Sequence, residues 1–239
     1  MKIRIIAPII TDQFNREILK EAAAFKSEGT QIDVVNLKKG PASIESFYDD
    51  VLASPHIVEE AVRAQKEGRH AVFIDCFGDP GVAASREMVA IPVAGGFQPA
   101  ALTASLISSR WSVITILKRL APAVRENAGN LGVEANIASI RSVDIPVLEL
   151  SDKEILQNRL LQQIEQAVQK DGAQAVVLGC TGMIGLAGNL QEAMKKKGVP
   201  VPVVDPTAAA IGYLELLVRS GISQSKITYP FPPEKERRI

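Results

Sequence analysis

The sequence has only two cysteines, Cys76 and Cys180, and only two histidines, His56 and His70, among its 239 residues. Two thiols in a chain with no readable export signal exclude the disulfide framework of small secreted domains. They also exclude a structural zinc site, because the two histidines lie outside the short spacings that such sites favour. Net charge is absent as well. With 27 Lys+Arg against 27 Asp+Glu, the chain lacks the basic footprint of a nucleic-acid-binding surface. Nor is there a run approaching the roughly 20 apolar residues of a membrane-spanning helix. The opening MKIRIIAPII couples a basic start to a short apolar run, but Thr11, Asp12 and Gln13 follow at once without a small-residue cleavage site. It therefore reads as a strand and not as a signal peptide, and the expected location is the cytoplasm.

What is present is a globular balance of 46% hydrophobic and 23% charged residues, enough for one large domain or two small ones. Short β-branched runs alternate with segments of helical period. KIRIIAP (2–8), QIDVVNL (31–37), HAVFIDC (70–76) and IPVAG (91–95) read as strands. Residues 17–26 and 55–66 read as helices, the second with Ser54 as N-cap, Pro55 at its first position and Gly68 beyond its end. A second series repeats the grammar: WSVITIL (111–117), ANIASIRSV (135–143), AQAVVLGC (173–180) and VPVVDP (201–206). In each series the third strand ends in a cysteine and the fourth is flanked by proline.

This pattern predicts an α/β fold of two similar lobes, each a parallel sheet flanked by helices, related by a pseudo-twofold axis with the active site between them. The first lobe is expected to comprise 1–97 plus 207–239, made discontinuous by a helix over 206–217 that returns to it. The second is expected to comprise 98–206. The tail, 229–239, is rich in proline and charge and reads as irregular.

Ligands of open α/β sheets bind beyond the carboxyl ends of the strands. Both thiols sit at such an end, so Cys76 and Cys180 are expected on opposite walls of one cleft. Cys76 lies in D-C-F-G-D-P-G, where Asp79 reads as an N-cap and Pro80 as the first helical residue. Cys180 lies in G-C-T-G-M. A neighbouring helix N-terminus would favour the thiolate over a thiol whose ordinary pKa is about 8.5. Amides around Phe77, Gly78, Thr181 and Gly182 are candidates to hold a developing enolate. Buried cysteine is common and inert, but its duplication at equivalent ligand-facing strand ends is hard to ascribe to packing. Two thiols across a carbon acid suit stereoinversion, one removing a proton while the other returns one. No cofactor is called for, and no Gly-rich dinucleotide loop, phosphate loop or metal cluster is present in the sequence to hold one.

These motifs resemble the hydantoin racemase and allantoin racemase family of the aspartate/glutamate racemase superfamily. The resemblance rests on G-P-A-S-I-E-S (40–46) with Tyr48-Asp49-Asp50, D-C-F-G-D-P-G (75–81) with Arg86-Glu87, W-S-V-I-T (111–115) and G-C-T-G-M (179–183). It implies an isomerase that acts without a cofactor on a 5-substituted hydantoin or allantoin, with Cys76 and Cys180 as its catalytic pair. It further implies ring contacts near Pro8, Ile10, Phe77, Gly78, Thr181 and Gly182, a small-molecule substrate as partner, and a homo-oligomer. One departure stands out. Where the family often carries N-P-N-T, this chain has Ala7-Pro8-Ile9-Ile10-Thr11, which suggests a more apolar mouth and a bulkier or more hydrophobic substituent. An amino-acid racemase of the same superfamily is the alternative, and a noncatalytic two-lobed binding protein is the alternative of another class. Arylmalonate decarboxylase, which works with a single cysteine in the second lobe, fits less well because Cys76 is retained.

Other residues have plainer readings beside the functional ones. Ser43 and Ile44 read as pocket residues, or Ser43 and Ser46 as caps of a helix through Tyr48 to Leu52. Asp79 and Asp205, each before proline, read as turn or cap residues ahead of acid-base groups. Lys195, Lys196 and Lys197 complement a helix C-terminus closed by Gly198. His56 and His70 read as a helix-surface and a strand-entry residue. Trp111 reads as packing, and Thr115 as a residue near enough to its strand end to reach the cleft.

Overall fold

A computed structural model describes residues 1–236. The first sheet contains β1 (Lys2–Ala7), β2 (Gln31–Asn36), β3 (Ala71–Ile74) and β4 (Val93–Ala94), with helices α1 (Asn15–Phe25), α2 (Phe47–Lys66) and α3 (Val82–Met88) between them. The chain then runs through α4 (Phe97–Ile107) into a second set: β5 (Trp111–Thr115), α5 (Ala121–Leu131), β6 (Ile137–Ser142), α6 (Lys153–Asp171), β7 (Ala175–Gly179), α7 (Ala187–Lys196) and β8 (Val203–Val204), closed by α8 (Pro206–Ser220). All strand pairs are parallel. The strand orders, β2-β1-β3-β4 and β6-β5-β7-β8, are the same permutation. The repeat seen in the sequence is thus a repeat of topology, and the third strand of each series is central in its sheet.

Central parallel strands are covered on both faces and should be apolar throughout. Every residue of β3 and β7 is buried. Ile3, Ile5 and Phe73 pack with Ile18, Ala22, Ile211 and Leu214 on one face of the first sheet, while Ile6, Val72 and Ile74 pack with Ala53, Ile57, Ala61 and Ala64 of α2 on the other. Helix α8 packs on α1, β3 and β4 as well as on α4. Its buried Glu215 accepts hydrogen bonds from the Thr30 hydroxyl at 2.6 Å and the Ser27 amide at 2.9 Å.

Two local expectations differ from the structure. Helix α2 begins at Phe47, so Ser46 is its N-cap, its hydroxyl accepting from the Asp49 amide, and Ser54 and Pro55 lie inside it. The missing Pro55 amide deprives only the turn at Val51, which is 68% exposed, so water can serve the freed carbonyl. Asp79 does not cap α3. Its φ of 55° turns the chain, Gly81 at φ 64° precedes Val82, and the Asp79 carboxylate accepts instead from the amides of Phe97 at 2.8 Å and Gln98 at 3.2 Å, capping α4. Asp205 does cap α8, through the Ala208 amide.

Trp111 is wholly buried, and its indole donates to Ser105 Oγ. His70 accepts from the Lys2 amide at the entry to the sheet, and His56 sits on α2 beside Glu59. The tail is irregular through residue 236, while the expectation for 237–239 lies outside the described residues. No helix among the described residues is long and apolar enough to cross a membrane.

Candidate active site

Pairing between β1 and β3 ends with the Asp75 amide donating to the Ile6 carbonyl at 2.9 Å, immediately before Cys76. Pairing between β5 and β7 ends at Thr115 opposite Gly179, immediately before Cys180. Cys180 therefore directly follows β7, and Cys76 follows β3 after one residue, Asp75. Glycine is required at 179, since a Cβ there would stand 2.7 Å from Val113 Cγ1 and 2.9 Å from Thr115 Cα. The Cys76 carbonyl accepts from the Gly96 amide at 3.1 Å, which ties the first thiol's backbone to the start of α4.

Both cysteines are partly exposed and line one concave cleft between the sheets' strand ends. Pro8, Phe77, Gly78, Thr181 and Gly182 line it too, as does Thr115. Ile10 does not. It is 49% exposed, whereas Ile9 is buried against the cleft. The Ile9 amide bonds the Ala7 carbonyl at 2.8 Å in a tight turn, and the next amide, of Ile10, is drawn outward to the Pro41 carbonyl at 3.1 Å. Of the S-I-E-S residues, Ile44 and Ser46 reach the cleft and Ser43 does not.

Three hydrogen bonds cross between the lobes around the thiols. Thr181 Oγ1 donates to the Asp75 carbonyl at 3.1 Å, Asn127 Nδ2 to the Gly78 carbonyl at 2.9 Å, and the Val147 amide to Glu45 Oε1 at 2.9 Å. The walls are otherwise largely apolar, with Ile9, Phe14, Ile18, Ile44, Val124 and Ile184 among them. Among the described residues that line it there is no Lys, Arg or His, and the only charged side chains are Asp50 and Asp75.

The electrostatics depart from the expectation of an activated thiolate. Helices α3 and α7 begin several residues beyond each cysteine, so neither thiol abuts the amides of the helix that follows it. Burial pushes the Cys180 thiol up to about 12, opposed by the Gly182 amide, which donates to Sγ at 3.3 Å. Burial also pushes Cys76 well up, with the charge of Asp50 adding to it. Desolvation outweighs the few amides that favour the anion.

Sequence reasoning gave no role to Asp50, Asp75 or Asn127. Asp50 Oδ1, Asp75 Oδ1 and Thr115 Oγ1 are buried, line the cleft and have no protein partner among the described residues. Unsatisfied buried polar atoms are uncommon, and three in one cleft mark it as a place that receives a polar ligand. Burial raises Asp75 to about 7 and Asp50 to about 6. A helical reading from Ser46 would have placed Asp50 one turn on, on the same face. Asn127, brought from α5 across to the loop after Cys76, left no such trace.

Residues 3–214 match the family model described as Asp/Glu/Hydantoin racemase. The chain belongs to this family and is an isomerase. A hydantoin racemase of Pseudomonas sp. (strain NS671) is 36% identical over 99% of this chain and 94% of its own length. One from Rhizobium meliloti is 37% identical, covering 97% of this chain and 95% of its own. Among solved structures, an allantoin racemase from Pseudomonas fluorescens superposes with a TM-score of 0.93 at 31% identity, over 100% of both chains. The two facing α/β lobes expected from the sequence are the fold of this family.

Proposed function

We propose that this family member racemises 5-substituted hydantoins by passing protons between Cys76, Cys180 and the ring carbon. The observation that carries the reading is the approach of one thiol from each lobe, at matching strand ends, to a single cleft. A hydantoin C5–H is alpha to a carbonyl. The thiolate on one face takes that proton, the C–H electron pair moves onto the C4 carbonyl to give an enolate, and the thiol on the other face donates its proton to C5. The bond re-forms on the opposite face, the two sulfurs have exchanged protonation states, and the enantiomer is released. Because the Gly182 amide donates to Cys180 Sγ and the Gly78 amide favours the Cys76 anion, the amides of Phe77 and Thr181 are the donors assigned to the enolate oxygen. A thiolate made basic by burial is a stronger proton acceptor for a weakly acidic carbon, at the expense of its resting population.

The lining argues for a neutral ring over an amino acid. A dicarboxylate would bring anions to a cleft whose only charged side chains are Asp50 and Asp75, with no cation to meet them. The apolar walls, Ala7 and Ile9 among them, favour an apolar C5 substituent over the ureido group of allantoin.

The test is turnover of single enantiomers of benzyl- and isobutylhydantoin, allantoin, aspartate and glutamate in D2O, following optical rotation and deuterium at the stereocentre. Loss of rotation with deuterium incorporation for the alkyl and aryl hydantoins is expected. Equal turnover of allantoin removes the preference for an apolar substituent, and binding with neither change removes the racemase reading.

A further inference from the structure

The two thiols differ in what stands beside them at one equivalent position. Gly78 and Gly182 each lie two residues past a cysteine. A Cβ placed on Gly78 would meet Cys76 Sγ at 3.7 Å, and one placed on Gly182 would meet Cys180 Sγ at 3.4 Å. The remaining neighbours differ in kind. Around Gly78 they are the two carboxylate oxygens of Asp50, at 3.6 and 3.8 Å, whereas around Gly182 the neighbour is the Leu150 methyl Cδ1 at 3.0 Å. A charge in the first lobe takes the place that a methyl group takes in the second.

Asp50 Oδ1 is buried without a partner among the described residues, although the side chain lines the cleft. It is reached from α2, whose N-cap Ser46 lies one turn earlier on the same wall.

We propose that Asp50 is a positioning residue that makes the cysteine pair asymmetric, so that in the resting enzyme Cys76 holds the proton and Cys180 is the sulfur that opens as the base. The proposal rests on the two-thiol reading and adds to it a direction. Around Cys76 the facing groups are Asp50, Cys180 and Asp79, and Asp50 acts on the thiol more strongly than does the Gly78 amide that opposes it. Around Cys180 they are Asp75, Glu45 and Glu21, all of which act less than the Gly182 amide that donates to its sulfur. Both sulfurs are destabilised as anions by burial; after burial, the largest influence on Cys76 is the charge of Asp50, whereas the largest on Cys180 is the Gly182 amide that favours its anion. The enantiomer whose C5–H faces Cys180 then meets the more populated of the two singly ionised states. Its mirror image needs the minor state.

The experiment reads each thiol separately and needs no substrate. The wild-type protein and Asp50→Asn are pulsed with iodoacetamide between pH 7 and 9.5, and the alkylated fraction at each cysteine is measured by peptide mass spectrometry. In wild type, Cys180 is expected to react faster than Cys76 throughout. In Asp50→Asn, which keeps the shape and loses the charge, the Cys76 rate is expected to rise about tenfold, the change in thiolate fraction for one pK unit, while the Cys180 rate changes by less than about threefold. Comparing each cysteine with itself cancels differences in access. A wild-type Cys76 rate that levels off with rising pH before the Cys180 rate does overturns the proposal without recourse to any variant, because each profile is read against its own cysteine. So does an unchanged Cys76 rate in a folded Asp50→Asn protein. Racemisation with no asymmetry would leave the two-thiol reading intact and remove this one. Asymmetric thiols in a protein that turns over no hydantoin would do the reverse.

Discussion

The Thr181 hydroxyl donates to the backbone carbonyl of Asp75 at 3.1 Å, which joins the residue after one cysteine directly to the residue before the other. Both partners are buried, at 8% exposure each. This bond sets the register of the two strand ends across the cleft, and so the span between the sulfurs.

Thr181→Val replaces the hydroxyl by a methyl of the same shape and leaves the Asp75 carbonyl unpaired. A lost buried bond of this kind costs about 1–2 kcal/mol, a fall of a few degrees in Tm. Misplacing reacting groups by a fraction of an ångström costs more in rate than in stability, so kcat/KM for hydantoin racemisation is expected to fall on the order of 10- to 100-fold. Thr181→Ser keeps the donor and is expected to restore most of it. Loss of stability without loss of rate would assign the bond to folding alone.

The cysteine variants separate the two half-reactions. Cys76→Ser and Cys180→Ser are each expected to lower racemisation by on the order of a thousandfold, within the range for removal of a general acid or base. Each variant still holds one sulfur, so it is expected to exchange the C5 hydrogen of one enantiomer with D2O, and the two variants to act on opposite enantiomers. Exchange of the same enantiomer by both would show that a single thiol serves both faces.

Which parts of this site were readable in advance follows from the range of the interactions involved. The ends of β3 and β7 were legible because a short strand buried on both faces is a continuous apolar run, and Cys76 and Cys180 stand where those runs stop. Ser46 was legible as one of two cap candidates because N-capping is local. The cap that Asp79 provides was assigned to the wrong helix because its partners, Phe97 and Gln98, are local to α4 and meet it only in the folded lobe. Ile9 was expected at the mouth and lines it, whereas Ile10, expected near the ring, faces outward because a single tight turn decides which neighbour points inward. Asp50, seen in the sequence but given no role, and Asn127 were not placed in the site because what ties them to it is the side chain or backbone they meet across the fold.

Acidity of the thiols makes a prediction about rate. Burial holds Cys180 at about 12 and Cys76 well above its ordinary value, so near neutral pH little of either is ionised. One thiolate and one thiol are required, and raising the pH increases the thiolate without yet stripping the second proton. The kcat/KM for a hydantoin is therefore expected to go on rising from pH 7 past pH 9, by up to about tenfold per unit. A plateau reached by about pH 7.5, checked by initial-rate polarimetry, would mean that ligand binding or a motion of the cleft lowers the thiol pKa far below its value in the free protein.

Behind the cleft, Glu21 on α1 is buried and accepts a hydrogen bond from the Gly185 amide of the second lobe. Burial, and then the nearby charges of Asp205 and Asp75, push its carboxyl up from 4.5 to about 8. Between those values the unfolded chain has released the proton while the folded protein keeps it. The fold thus binds the extra proton, and its stability declines as pH rises through that window. Glu21→Gln keeps an oxygen that can accept from Gly185 and removes the titration. At pH 8.5 the variant is expected to be more stable than wild type by on the order of 1–2 kcal/mol, since one pK unit is worth about 1.4 kcal/mol and part of the shift is offset by relaxation. At pH 5 both side chains are neutral in the fold, and the unfolded chain has released only about three-quarters of its proton, so the advantage is expected to shrink to a fraction of that. Thermal unfolding at the two pH values measures the difference directly. An advantage of the same size at both, or a variant less stable than wild type at pH 8.5, would show that the Glu21 carboxyl is ionised in the fold and that its bond to the second lobe is made by the anion.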